Sequence, residues 1–157
     1  IYLSREILPL VRTHYPEATL YLVGTRPTSA VLALQEIPGV VVTGKVPSTT
    51  EYLHKAAVCV VPLRMGYGIK NKTLEAMATG VPVVASDRGL EGLTVDGAGV
   101  PPRALRANQP QEYVTAIKRL MDDATLRQQL SQNARQMIET EYTWERVGHL
   151  YSNLMSL

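Results

Sequence analysis

Residues Pro62 to Ser86 read PLRMGYGIKNKTLEAMATGVPVVAS, and the order of textures in that stretch decides the fold. An apolar β-branched run, Val58 to Leu63, feeds a loop holding Gly66 and Gly68. A helical segment follows, capped by Asn71 and carrying Leu74 to Thr79; Gly80 is placed to stop it, and Val81 to Ala85 forms a second apolar run. Strand, glycine loop, helix and strand in that order make a unit of a parallel sheet.

The alternation extends on both sides. Thr19 to Val23 and Val40 to Thr43 are further strand candidates, with a weaker one at Gly99 to Val100. Ser48-Thr49-Thr50-Glu51 offers a helix start between them. Short β-branched runs separated by helical segments predict an α/β fold, a Rossmann-like parallel sheet flanked by helices on both faces. Pro101 to Pro110 reads as a loop. Beyond it Val114, Ile117, Leu120 and Met121 share one helical face, and Leu126, Leu130, Met137 and Ile138 continue the spacing, so residues 110–157 read as two or three packed helices. Ile1 to Val11 already reads as a helix face (Leu3, Ile7, Leu10, Val11), with Pro9 kinking it or marking its first turn, so the sheet is expected to lack its first strand. Two closures follow from that expectation: Thr19 to Val23 pairing with Val58 to Leu63, or a second molecule filling the gap as a homodimer through exposed strand edges.

A chain of 157 residues, 45% of them hydrophobic, is long enough for one cored domain and too short for two. The net charge of +2 arises from interspersed acidic and basic residues, which argues against a dedicated nucleic-acid binder. The single cysteine, Cys59, lies in an apolar run and excludes both a disulfide framework and a cysteine metal site. No apolar run approaches the roughly 20 residues that span a bilayer, and the expected location is cytoplasmic. His14, His54 and His149 are far apart and receive no role.

The chemistry concentrates in the glycine loop. Gly66 and Gly68 let the backbone approach a ligand, and the helix behind them points free N–H groups forward, which makes an anion site. Arg64, Lys70 and Lys72 add three cationic groups that suit a diphosphate. Glu75 offers two acceptor oxygens to a ribose diol. A G-x-G before a helix is by itself a weak signal, since glycines open many such turns for steric reasons.

The longer string is more specific. Leu74-Glu75-Ala76-Met77-Ala78-Thr79-Gly80-Val81-Pro82-Val83-Val84 resembles, residue for residue, the L-E-A-M-A-x-G-x-P-V-V segment of the C-terminal domain of the family 4 retaining glycosyltransferases, which have the two-domain GT-B architecture. Pro16 to Gly24 and Val41 to Val46 resemble that domain's second and third strands with their turns, so the likeness runs over roughly Ile1 to Val100.

The resemblance implies that Glu75 holds the ribose of a nucleotide diphosphate sugar, that Gly44, Lys45 and Val46 lie against the base, and that Gly66, Tyr67, Gly68, Ile69, Lys70, Asn71 and Lys72 face the diphosphate and sugar, with Thr73 and Leu74 completing the substrate-binding set. Arg64 and Lys72 are the implied stabilisers of the leaving diphosphate. It implies no metal and no cofactor beyond the donor. It also implies a further N-terminal acceptor-binding domain, an acceptor in polysaccharide or glycolipid synthesis, inactivity of this segment alone, and peripheral membrane contact of the whole enzyme. A stand-alone nucleotide-binding or regulatory module is the alternative.

Two positions depart from the family pattern: the first glutamate of its E-x7-E motif is Tyr67 here, and Lys72 replaces a proline. Glu91, in the segment Ser86 to Gly92 after the next strand, is a further candidate for approach to the sugar. Tyr142, Trp144 and Tyr151 are expected to pack in the core or against another domain.

Overall fold

The computed structural model describes residues 1–143, 145 and 146. Trp144, His149 and Tyr151 lie outside the described residues. A π-helical turn, Leu3–Ile7, continues as α1, Leu8–Arg12, and Pro9, which has no N–H to donate, sits in the first turn of α1 directly after the wider π turn. The predicted face holds: Ile7 and Val11 are buried, with Leu3 and Leu10 packed beside them.

The strands are β1 (Leu20–Val23), β2 (Val40–Gly44), β3 (Cys59–Val61), β4 (Val83–Ala85) and β5 (Leu105–Arg106). Between β1 and β2 lies α2, Ser29–Leu32, extended by a 3₁₀ turn, Ala33–Glu36; α3 (Thr49–Lys55) precedes β3, and α4 (Asn71–Thr79) connects β3 to β4. Helices α5 (Pro110–Asp122) and α6 (Ala124–Glu141) follow β5. Gly80 ends α4 in the left-handed conformation, at φ 81°, as its position predicts.

All strand pairs are parallel, but they form two sheets: β1 pairs with β2, and β3, β4 and β5 make the second in that order. The expected pairing of Thr19 to Val23 with Val58 to Leu63 is therefore corrected, because β1 bonds to β2 and β3 bonds to β4. The fifth strand is also displaced from Gly99 to Val100, where Gly97 and Gly99 take φ of 125° and 77° and cannot extend a ladder. It forms instead inside the predicted loop, where Leu105 pairs with Val84 and packs against the core. Asn71 is the first helical residue of α4 and not its cap; Lys70 occupies that place and its side chain makes no capping bond, so α4 begins uncapped.

Both faces of the three-stranded sheet are covered. Val83 and Ala85 face Ala76 and Met77 of α4 and Ala134 and Met137 of α6, whereas Val84 faces the other way, toward Ile7, Val11, Val114 and Ile117. The period-2 alternation of a strand thus meets helices on each side. Met121 is an exception to the predicted stripe, being exposed at the end of α5. Glu112 accepts bonds from the backbone N–H groups of Asn108 at 2.6 Å and Gln109 at 3.2 Å, closing the start of α5, and Asp123 caps α6 through Leu126 N at 2.9 Å. No helix among the described residues is long and apolar enough to cross a membrane.

Candidate functional site

Because β3 and β4 run parallel, their carboxyl ends deliver two loops to one edge of the sheet: Pro62 to Lys70, and Ser86 to Gly92. Gly66 and Gly68 take φ of 98° and 75°, which an L side chain rarely adopts, so the first loop folds back onto the start of α4.

The second loop is clamped to the first at several points. The Ser86 hydroxyl donates to the Leu63 carbonyl at 2.6 Å and accepts from Gly89 N at 3.0 Å. Buried Thr73, from the first turn of α4, donates to the Gly89 carbonyl at 2.8 Å. A Cβ at Gly89 would lie 2.7 Å from the Val61 carbonyl oxygen, and one at Gly92 would lie 2.8 Å from Ile69 Cγ1. Only glycine permits either approach. Tyr142 packs against the core, and its hydroxyl, held neutral by burial that raises its pKa, donates to the Gly92 carbonyl at 3.0 Å.

The charged groups of the site come from both loops. Lys70 donates to the Gly68 carbonyl and lies 3.4 Å from Glu91 Oε2; Arg88 reaches Glu91 Oε1 at 3.0 Å. The Arg88 guanidinium stacks 5.0 Å from the centroid of the Tyr67 ring, and that of Arg64 lies 5.2 Å from Tyr2. A cavity of about 270 Å³ opens here, lined by Tyr2, Leu63, Arg64, Ser86, Arg88 and Asn108, among others. Asp87 stands on its rim, but Arg106 binds it at 2.8 Å and Asp96 at 2.9 Å. Those bonds hold both carboxyls below their ordinary range, so Asp87 stays ionised and tied to Arg106 at the rim, while Arg64 and Arg88 bring two positive charges to the cavity lining. Beneath it, burial pushes the Tyr113 phenol up to about 12 and keeps it a neutral hydroxyl.

The structure thus gathers Arg64, Gly66, Tyr67, Gly68, Ile69, Lys70, Asn71, Lys72, Thr73, Leu74 and Glu75 into one loop and helix start. Lys72 and Glu75 are exposed on α4 and form no ion pair among the described residues. Thr73 is spent on Gly89, which makes it a positioning residue, and Leu74 packs against the core. Gly44 ends β2 in the other sheet and Lys45 and Val46 follow it, ahead of α3, which packs on α4. Sequence reasoning missed Arg88, Tyr2 and Asn108. No local signal marks them, since they converge from segments far apart in the chain.

The family model of the glycosyl transferases group 1 matches residues 1–123. The chain belongs to this family. As a member it is 28% identical over 123 residues to glycosyltransferase 1 domain-containing protein 1 of Xenopus tropicalis, a match covering 78% of this chain and 35% of that protein. Its fold is similar to the sucrose-phosphate synthase of Thermosynechococcus elongatus, with a TM-score of 0.73, 27% identity, and coverage of 96% of this chain and 42% of that one. The Anabaena protein HepE, solved in complex with UDP, superposes with a TM-score of 0.77 at 17% identity, over 96% of this chain and 44% of HepE. The fold is accordingly that of a GT-B glycosyltransferase domain. The chain spans about a third of the length of its Xenopus relative and less than half of each of these solved structures.

Proposed function

We propose that this chain is the donor-binding domain of a retaining family 4 glycosyltransferase, which moves a sugar from a nucleotide diphosphate sugar to an acceptor in polysaccharide or glycolipid synthesis. The observation that carries the reading is the cavity at the carboxyl ends of β3 and β4, which Arg64 and Arg88 both line; the loop that carries Arg64 runs on into α4, whose start is uncapped.

In this reading the diphosphate lies between Arg64, Arg88, Lys72 and the N–H groups of α4, and charge building on it as the glycosidic bond breaks is stabilised by groups already in place. Glu75 receives the ribose hydroxyls, and the turn Gly44-Lys45-Val46 borders the base. The acceptor and the group that assists its hydroxyl belong to a further domain. The UDP bound by HepE makes UDP the first nucleotide to try.

Calorimetric titration of the protein with UDP, GDP and ADP, repeated on Lys72→Ala and Glu75→Ala, tests the reading. One nucleotide should bind, and each substitution should weaken it about tenfold or more, the scale of a charge-assisted hydrogen bond. Failure of all three nucleotides to bind the folded protein would refute it.

A further inference from the structure

Arg64 and Arg88 both line the cavity at the carboxyl ends of β3 and β4, but they are held there in different ways. Arg88 donates to Glu91 at 3.0 Å. Arg64 is exposed and forms no ion pair among the described residues. Its guanidinium carbon stands instead over the ring of Tyr2, 5.2 Å from the centroid, and Tyr2 lines the same cavity.

The Tyr2 ring is itself seated. Its backbone is already helical where it enters the π turn, and its side chain is half-buried against the cluster that contains Ile7, Val11 and Tyr113. The rings of Tyr2 and Tyr113 meet edge to face, 6.5 Å apart at an interplanar angle of 78°, and Tyr113 is buried on α5. Tyr113 thus fixes Tyr2, and Tyr2 restrains Arg64.

A ring and a carboxylate restrain an arginine with different chemical consequences. A carboxylate would accept N–H groups of the guanidinium and cancel its charge. A ring attracts the cation through its quadrupole and brings no charge of its own. Arg64 therefore stands at the cavity wall with its charge available to an anion, and a long side chain that is already restrained gives up less rotamer freedom on binding.

We propose that Tyr2 is a positioning residue of the donor site: its ring, seated on Tyr113, holds Arg64 at the cavity wall where the diphosphate is met. This rests on the donor reading above and brings into the site the turn ahead of α1, far in sequence from the glycine loop.

The test is a double-mutant cycle of Tyr2→Leu and Arg64→Gln in the intact protein, read as calorimetric affinity for UDP, GDP and ADP. Tyr2→Leu should weaken the nucleotide that binds by about three- to fivefold, the scale of a cation–π contact at an exposed site. In the Arg64→Gln background the same change should alter affinity by less than about 1.5-fold, because the group that Tyr2 positions is gone. Tyr2→Phe, which keeps the ring, should bind within about 1.5-fold of wild type. Pentafluorophenylalanine at position 2 keeps the shape of that ring and reverses its quadrupole, so it should weaken binding as leucine does, and it decides the matter should Tyr2→Leu fail to fold. Full affinity in either the leucine or the fluorinated protein, or an equal loss with and without Arg64, overturns the positioning role. An Arg64→Gln protein that binds as wild type also overturns it and leaves the donor reading resting on Lys72 and Glu75. A wild-type protein that binds none of these nucleotides overturns both.

Discussion

Replacing Thr73 by valine isolates the bond that sets the two loops of the site against each other. Thr73 is fully buried, and its hydroxyl is the only recorded partner of the Gly89 carbonyl among the described residues. Valine fills nearly the same space, so no cavity opens; what changes is that a buried carbonyl loses its donor. An orphaned buried acceptor costs about 1–3 kcal/mol. Serine keeps the donor and removes a methyl group, at about 1 kcal/mol. Thr73→Val is therefore expected to lose about 2 kcal/mol and Thr73→Ser about 1 kcal/mol, with melting temperatures lower by about 4–8 °C and 2–4 °C in a domain of this size. Urea unfolding followed by circular dichroism gives the order, and nucleotide titration of the same variants shows whether the loosened loop also weakens binding through Arg88. A valine variant as stable as wild type, with serine the worse of the two, would refute the reasoning, because packing and not the hydrogen bond would then hold the loop.

Two further outcomes follow from protonation. The carboxyls of Asp87 and Asp96 are depressed by Arg106, so their contribution to stability is full above the ordinary carboxylate value of 3.8 and is lost as pH falls through the lowered folded values. The gap in urea midpoint between wild type and Arg106→Gln should therefore close on acidification from about pH 6 to about pH 2, and a constant gap would show that these pairs do not couple to folding. Burial pushes the Cys59 thiol up to about 11, so alkylation by iodoacetamide near pH 8 should be slow in the native protein and fast in urea, a contrast read by mass spectrometry; equal rates would place the thiol at the surface.

What the sequence by itself determined is the part governed by local periodicity and by glycine. Four strand runs, the helix faces at Ile7 and Val11 and at Val114 and Ile117, and the stop at Gly80 appear where the pattern puts them, because strand alternation and helical spacing bury residues a few positions apart. The loop with Gly66 and Gly68 is legible for the same reason: each glycine takes a positive φ. The tertiary structure alone decided the rest. A two-residue strand, Leu105–Arg106, has too little length to show a period and exists because β4 offers it a partner edge. The separation of β1 from β3 is a matter of which edges meet, and hydrophobic pattern is the same for either pairing. The charge relay from Lys70 through Glu91 to Arg88, and the cavity that Tyr2 and Asn108 complete, depend on side-chain tips brought within a few ångströms from distant parts of the chain. Such contacts are set by the global packing of helices on both faces of the sheet, a constraint that no local stretch of residues carries.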